Sequence, residues 1–146
     1  MDIKYAFNGS GKISMNSNTL LLRQIHPGWV QSGRVTSQAF RPTKKDARQL
    51  SVSDGDMVSA QRSWELHVRR GHLSSGVLAV TVQECDDIGL ETRSNPLPEQ
   101  PEHAIIDFNK VPSNSQVEKL SKGLTVIAIQ RNWCFRPDQS QSEIFL

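Results

Sequence analysis

Long apolar runs are missing from this chain. Residues 20–22 and 77–80 are representative of what it has, far short of the ~20 consecutive apolar residues that a membrane helix needs. The opening MDIKYAFNGSGK lacks the apolar core of a signal peptide. Both absences predict a soluble, cytoplasmic chain with no membrane partner. Cysteine is scarce too: Cys85 and Cys134 are the two, with no CxxC and no ligand-like neighbour. Cys85 is followed by Asp86 and Asp87, whose charge disfavours a thiolate. Both thiols are therefore expected to be structural.

The motifs of several reaction classes are missing as well. The four histidines, His26, His67, His72 and His103, include no close pair on one helix face, so no metal site is expected. There is no G-x-S-x-G elbow. Neither phosphate-binding glycine pattern, G-x-x-x-x-G-K-[ST] or G-x-G-x-x-G, is present.

What remains is a chain of 146 residues, 36% hydrophobic and 22% charged. That length predicts one domain, burying roughly 68–70% of its unfolded surface. Residues 1–19 are Gly/Ser/Asn-rich and read as a polar arm or short hairpin, 20–136 as the domain, and 137–146 as a flexible tail. Charge is uneven. Residues 23–72 carry nine Lys/Arg against four Asp/Glu, net +5, whereas 84–107 carry one Arg against seven acids, net −6. Either the two halves pack and neutralise each other, or the basic half faces a phosphate-bearing ligand.

Periodicity supplies the elements. Residues 19–25 read as a central strand, because three consecutive leucines need burial on both faces. Pro27 and Gly28 end it. A second strand is expected over 34–40 and a third over 49–53. A helix over 55–70 follows, capped by Ser53 with Asp56 three residues on. It carries an apolar stripe of Met57, Ala60, Trp64 and Val68 and stops at Gly71. Residues 76–85 read as a central strand, 86–90 as one helical turn and 91–101 as a proline-rich extended connection. Another strand is expected over 104–108. A last helix, capped by Ser115 with Glu118, runs to Asn132. The order β-β-β-α-β-β-α predicts an α+β fold, a mixed sheet of about five to six strands with two main helices.

Candidate chemistry concentrates in residues 20–42. Arg23 lies in a leucine-flanked strand, an expensive place for a guanidinium unless it is paired or binds an anion. Glu65 and Glu84 are the expected partners for a salt bridge. His26 stands at the strand end, Trp29 and Ser37 close by. Arg34, Arg41, Lys44, Lys45 and Arg48, with Trp29 and Phe40 as stacking residues, suit nucleic acid or a merely solvated loop.

Residues 20–90 resemble the RES-type members of the ADP-ribosyltransferase superfamily. The likeness rests on a strand with an arginine (LLLRQIHP), a glycine-containing turn and a short strand (QLSVS). A helix with an internal glutamate (MVSAQRSWELHV) follows, then an apolar strand with an acidic turn (GVLAVTVQECDDIGL). It implies NAD as ligand, Arg23 on its diphosphate, Ser51 near the nicotinamide ribose and Glu65 as catalytic acid. The family's tyrosine near Ser51 is absent, and only Ser32, Gly33 and Arg34 stand in for its Gly-Gly-Arg-Trp-like stretch.

Three functions follow. One is an interaction module or accessory subunit with a protein partner, of the kind found in bacterial toxin–antitoxin or defence operons. Another is an enzyme acting on a dinucleotide glycosidic bond, with Arg23, His26, Ser37, Ser51 and Glu65 lining its cleft. Nucleic-acid binding through 34–48 is the third.

Overall fold

The computed structural model describes residues 5–7, 13–44 and 47–137. Its centre is a five-stranded sheet in which every pairing is antiparallel. The spatial order is β7 (Val77–Thr81), β3 (Leu20–Gln24), β6 (Gln49–Asp54), β9 (His103–Asp107), β8 (Glu91–Ser94). Two short hairpins flank it: β1 (Tyr5–Phe7) with β2 (Ile13–Met15), and β4 (Val30–Gln31) with β5 (Arg34–Val35). Among the described residues three α-helices complete an α+β domain: α1 (Ala60–Arg69), the short α2 (Val82–Asp87) and the long α3 (Asn114–Arg131). Among the described residues no helix is long and apolar enough to cross a membrane.

Alternation along the strands gives the sheet two unlike faces. Leu21, Ile25, Leu50, Val52, Leu78, Val80, Ala104 and Ile106 point one way and build the main core with Val117, Leu124 and Ala128 of α3. On the other face, Leu22, Val77 and Ala79 form a smaller cluster under α1 and the chain around Phe135. That cover reaches only the β7–β3 end. Over β6 and β9 the same face carries Ser51, Ser53, His103 and a buried Ile105, and it is open above Ser51, which is exposed. The half-covered face is what makes room for a site.

The ladder between β3 and β6 is short. It holds two pairs, Leu21 with Asp54 and Leu22 with Ser53, and stops at Arg23. Beyond that point Arg23 fills the place of the ladder, its Nη1 donating to the Ser51 carbonyl at 2.9 Å.

Several expected boundaries move. The second strand ends at Val35, and residues 37–40 form a 3₁₀ turn. Strict alternation would place Ala39 and Phe40 on opposite faces, yet both are fully buried, which the tighter turn allows. Helix α1 starts at Ala60, not near 55: Ser59 Oγ accepts from the Arg62 N–H, while Ser53 is held in the sheet opposite Leu22 and His103. Met57, now ahead of the helix, and Val68, in its last turn, are both exposed. Strand β7 stops at Thr81, where a capping box with Glu84 opens α2.

Strand β7 is also at the sheet edge, not its centre. Its burial comes from the flanking layers and from the chain at Phe135, whose carbonyl accepts from the Val77 N–H at 2.9 Å. Residues 91–94, expected as connection, pair with β9, because the prolines that bar a ladder lie further on, at 96, 98 and 101. The last helix is continuous as expected, capped by Ser113 rather than Ser115. The expected tail beyond Pro137 lies outside the described residues.

Candidate functional site

A cleft of about 720 Å³ opens on the uncovered part of the sheet. It is lined by Leu22, Arg23 and Gln24 of β3, Ser51, Val52 and Ser53 of β6, and His103 of β9, of which Leu22, Gln24, Ser51, Ser53 and His103 face it by strand alternation. One wall is the end of α1, where His67 stands in the last turn, Arg70 caps it and His72 follows. Gly71, at φ +91°, turns the chain so that the His72 N–H bonds the His67 carbonyl at 3.2 Å. That brings the two imidazole centroids to 4.8 Å. The opposite wall is the turn between β8 and β9, where Leu97 and Gln100 exchange both backbone hydrogen bonds at 3.0 Å. Arg70 Nη2 reaches the Glu99 carbonyl across the mouth at 3.3 Å.

Among the residues lining the cleft, Arg23 and Arg70 carry positive charge against the single negative charge of Glu99. His67 has its pKa lowered from 6.5 to about 4, first by burial, then by the charges of His72, Arg23, Arg70 and His26. His67 is therefore a neutral imidazole at physiological pH. Burial is the larger cause; the lesser one, the charges of Arg23 and Arg70, also favours anions. Among the described residues, no group of three or more His, Cys, Asp or Glu side chains is placed to hold a metal ion.

The geometry within the floor is specific. Ser51 faces Ile105 in the β6–β9 ladder, so His103, two residues before Ile105, is its diagonal neighbour on the same face. His103 Nε2 lies 3.1 Å from Ser51 Oγ, and His103 Nδ1 lies 2.9 Å from the Asn95 carbonyl. A carbonyl only accepts, so Nδ1 carries the proton and Nε2 of the neutral ring accepts from the Ser51 hydroxyl. Asn95 is itself held by its N–H on the His103 carbonyl at 2.8 Å.

The residues singled out by the sequence are partly gathered. Arg23 and Ser51 line this cleft. Arg23 pairs with neither Glu65 nor Glu84 in a salt bridge: Nε donates to the Ala39 carbonyl at 2.8 Å, Nη1 to that of Ser51, and the guanidinium stacks 5.0 Å from the Trp29 ring centre. Glu84 binds Arg131 instead, at 2.8 Å and 2.9 Å. His26 caps the 3₁₀ turn Pro27–Trp29, its Nδ1 accepting from the Gly28 N–H at 2.9 Å. Ser37 opens the following 3₁₀ turn, and Glu65 sits on α1; neither is among the side chains lining the cleft.

A second cleft, of about 430 Å³, lies beside Arg23 and gathers Trp29, Arg41, Lys44 and Arg48. Arg48 is committed there to the Val111 carbonyl at 2.9 Å and Asn114 Oδ1 at 2.7 Å. Arg34 stands apart, exposed in the β4–β5 hairpin, and Lys45 lies outside the described residues. Cys85 is fully buried, with burial and the charge of Glu84 pushing its thiol up to about 12, and Cys134 is raised by burial as well. Both are unreactive positions.

His67, Arg70, His72, Asn95 and His103 were not legible as site residues. They come from three separate segments, and only the register of β9 on β6 and the turn after α1 bring them together. No family model, no curated protein and no solved structure matches the chain.

Proposed function

We propose that the chain binds a phosphate-bearing ligand of nucleotide or dinucleotide size in the cleft over Ser51 and His103. The observation that supports this is the convergence of Arg23, Arg70 and three histidines around one open space of about 720 Å³, with His67 kept neutral first by burial and then by the charges around it. Arginine suits phosphate oxygens because its planar fork presents paired donors, and neutral imidazoles supply further hydrogen bonds without a competing charge. NAD and ADP-ribose fall within this ligand class. Glu65, the acid that the ADP-ribosyltransferase resemblance implies, is outside the cleft lining, so the reading is of binding and not of that family's glycosidic chemistry.

The other readings have less convergence behind them. For an accessory subunit, Val126 and Ile129 of α3 are exposed one turn apart, a patch of two side chains. For nucleic acid, Arg48 is already used within the fold.

The test is thermal unfolding with NAD, ADP-ribose and inorganic phosphate at millimolar concentration, on the wild type and on Arg70→Glu. Arg70 is exposed, so its replacement leaves the core intact. A rise in Tm with the nucleotides, weakened by salt and lost in Arg70→Glu, is expected, since only binding to the native state stabilises. No shift with any of the three, or a shift unchanged in Arg70→Glu, overturns it.

A further inference from the structure

We propose that Ser51 and His103 are a nucleophile and its general base, and that the cleft cleaves carboxylic esters of phosphate-bearing alcohols. The first part stands on geometry alone. Ser51 is exposed in the cleft floor, its hydroxyl is directed at His103 Nε2, and His103 is held from behind by the Asn95 carbonyl. A serine is a poor nucleophile until a base takes its proton, and that base works only if its tautomer and orientation are fixed. The arrangement here supplies all three members: hydroxyl, base and orienting acceptor, with a backbone carbonyl in the position that a carboxylate fills in the serine–histidine–aspartate triad. Each is fixed by the sheet. Ser51 and His103 sit on adjacent paired strands, and Arg23 holds the Ser51 carbonyl while Asn95 closes the hairpin.

The chemistry balances with water as the only co-reactant. Ser51 Oγ bonds to the ester carbonyl carbon as its proton moves to His103 Nε2. The negative oxygen of the tetrahedral intermediate forms in a cleft whose wall carries Arg70, a positive charge that favours it. Collapse breaks the bond to the alcohol oxygen, which takes the proton back from His103. Water then repeats the sequence on the acyl-serine, returning Ser51 and releasing the acid. The choice of a phosphate-bearing alcohol rests on the anion-binding reading above.

The experiment is incubation of the full chain with a fluorophosphonate, read by intact mass and peptide mapping, with and without ADP-ribose. One adduct mapping to Ser51 is expected, with ADP-ribose protecting it. Ser51→Ala gives none, and His103→Gln labels at least about 100-fold more slowly, the low end of what general-base assistance contributes. Circular dichroism on both variants keeps loss of labelling distinct from loss of fold. Absence of an adduct on the folded wild type, or equal labelling of His103→Gln, overturns the pair. Labelling of Ser51 that ADP-ribose leaves unchanged keeps the pair and removes the anionic substrate. A nucleotide-dependent Tm shift without labelling does the reverse, retaining the binding site and removing the chemistry.

Discussion

Arg23 shows how one side chain carries both architecture and site. Its guanidinium crosses the point where the β3–β6 ladder stops and binds two backbone carbonyls, Ala39 and Ser51, that belong to different segments. Ala39 is fully buried, so losing its partner leaves a desolvated acceptor, a cost of about 1–3 kcal/mol. Arg23→Lys keeps the charge but offers a point donor where a fork is needed. It is expected to lose about 1–3 kcal/mol of stability in urea unfolding, on the same buried-acceptor argument. An unchanged midpoint would mean that the two carbonyls find other donors. The sequence shows that an arginine among leucines must be satisfied; it does not show by what. The acids that seemed natural partners are elsewhere, Glu84 on Arg131, because backbone carbonyls leave no mark in the order of side chains.

At the scale of elements, α2 illustrates a short helix held by its ends. Thr81 Oγ1 accepts from the Glu84 N–H at 3.0 Å, and Glu84 Oε1 accepts from the Thr81 N–H at 2.7 Å. Glu84 also grips Arg131 at the far end of α3 with both oxygens. Burial alone would raise the Glu84 pKa, but the Arg131 and Thr81 hydrogen bonds and the Arg131 charge hold it below the usual carboxylate range. Glu84→Ala removes the capping box and the ion pair together, and is expected to cost about 2 kcal/mol. Glu84→Gln, which can still cap Thr81, should cost roughly half of that on the same grounds. Thermal unfolding of the two variants measures the split. Equal losses would assign the whole effect to the charge.

This scale is also where the sequence was most and least legible. The core strands announce themselves through Leu20, Leu21 and Leu22, through Val77, Leu78, Ala79 and Val80, and through Ala104, Ile105 and Ile106, because burial on both faces demands unbroken apolar runs. Element ends were harder. Ser53 and Ser59 are equally good caps in isolation, and only the pairing of Ser53 with Leu22 decides between them. Thr81 and Glu84 form a capping box inside what reads as a continuing strand. The serine–histidine pair was least legible, since Ser51 and His103 are separated by 51 intervening residues and meet through strand register.

For the whole molecule the cleft ties stability to pH. The folded pKa of His67, about 4, lies below its ordinary 6.5. Above pH 6.5 the residue is neutral in both states and contributes no slope. Between about 6.5 and 4 the unfolded chain takes up a proton that the folded chain refuses, so stability falls as pH falls. Below about 4 both states are protonated and this contribution levels off. His67→Asn should flatten the decline of Tm between pH 6.5 and 4 and leave the neutral-pH value nearly unchanged. A decline equally steep in the variant would place its cause in other groups.

The two-pair ladder between β3 and β6 has a last consequence for the molecule's mechanics. The sheet amounts to two leaves, β7 with β3 and β6 with β9 and β8, joined by the shortest ladder of the five strands: two residue pairs, the Gly55 N–H on the Leu20 carbonyl at 2.8 Å and the Arg23 guanidinium. His67, Arg70 and His72 stand at the end of α1, whose Trp64 packs on the first leaf, whereas Ser51 and His103 belong to the second. Whatever occupies the cleft therefore touches both leaves at once. A ligand bound as proposed would bridge this short seam, so its binding is expected to stiffen the sheet as well as fill the cleft.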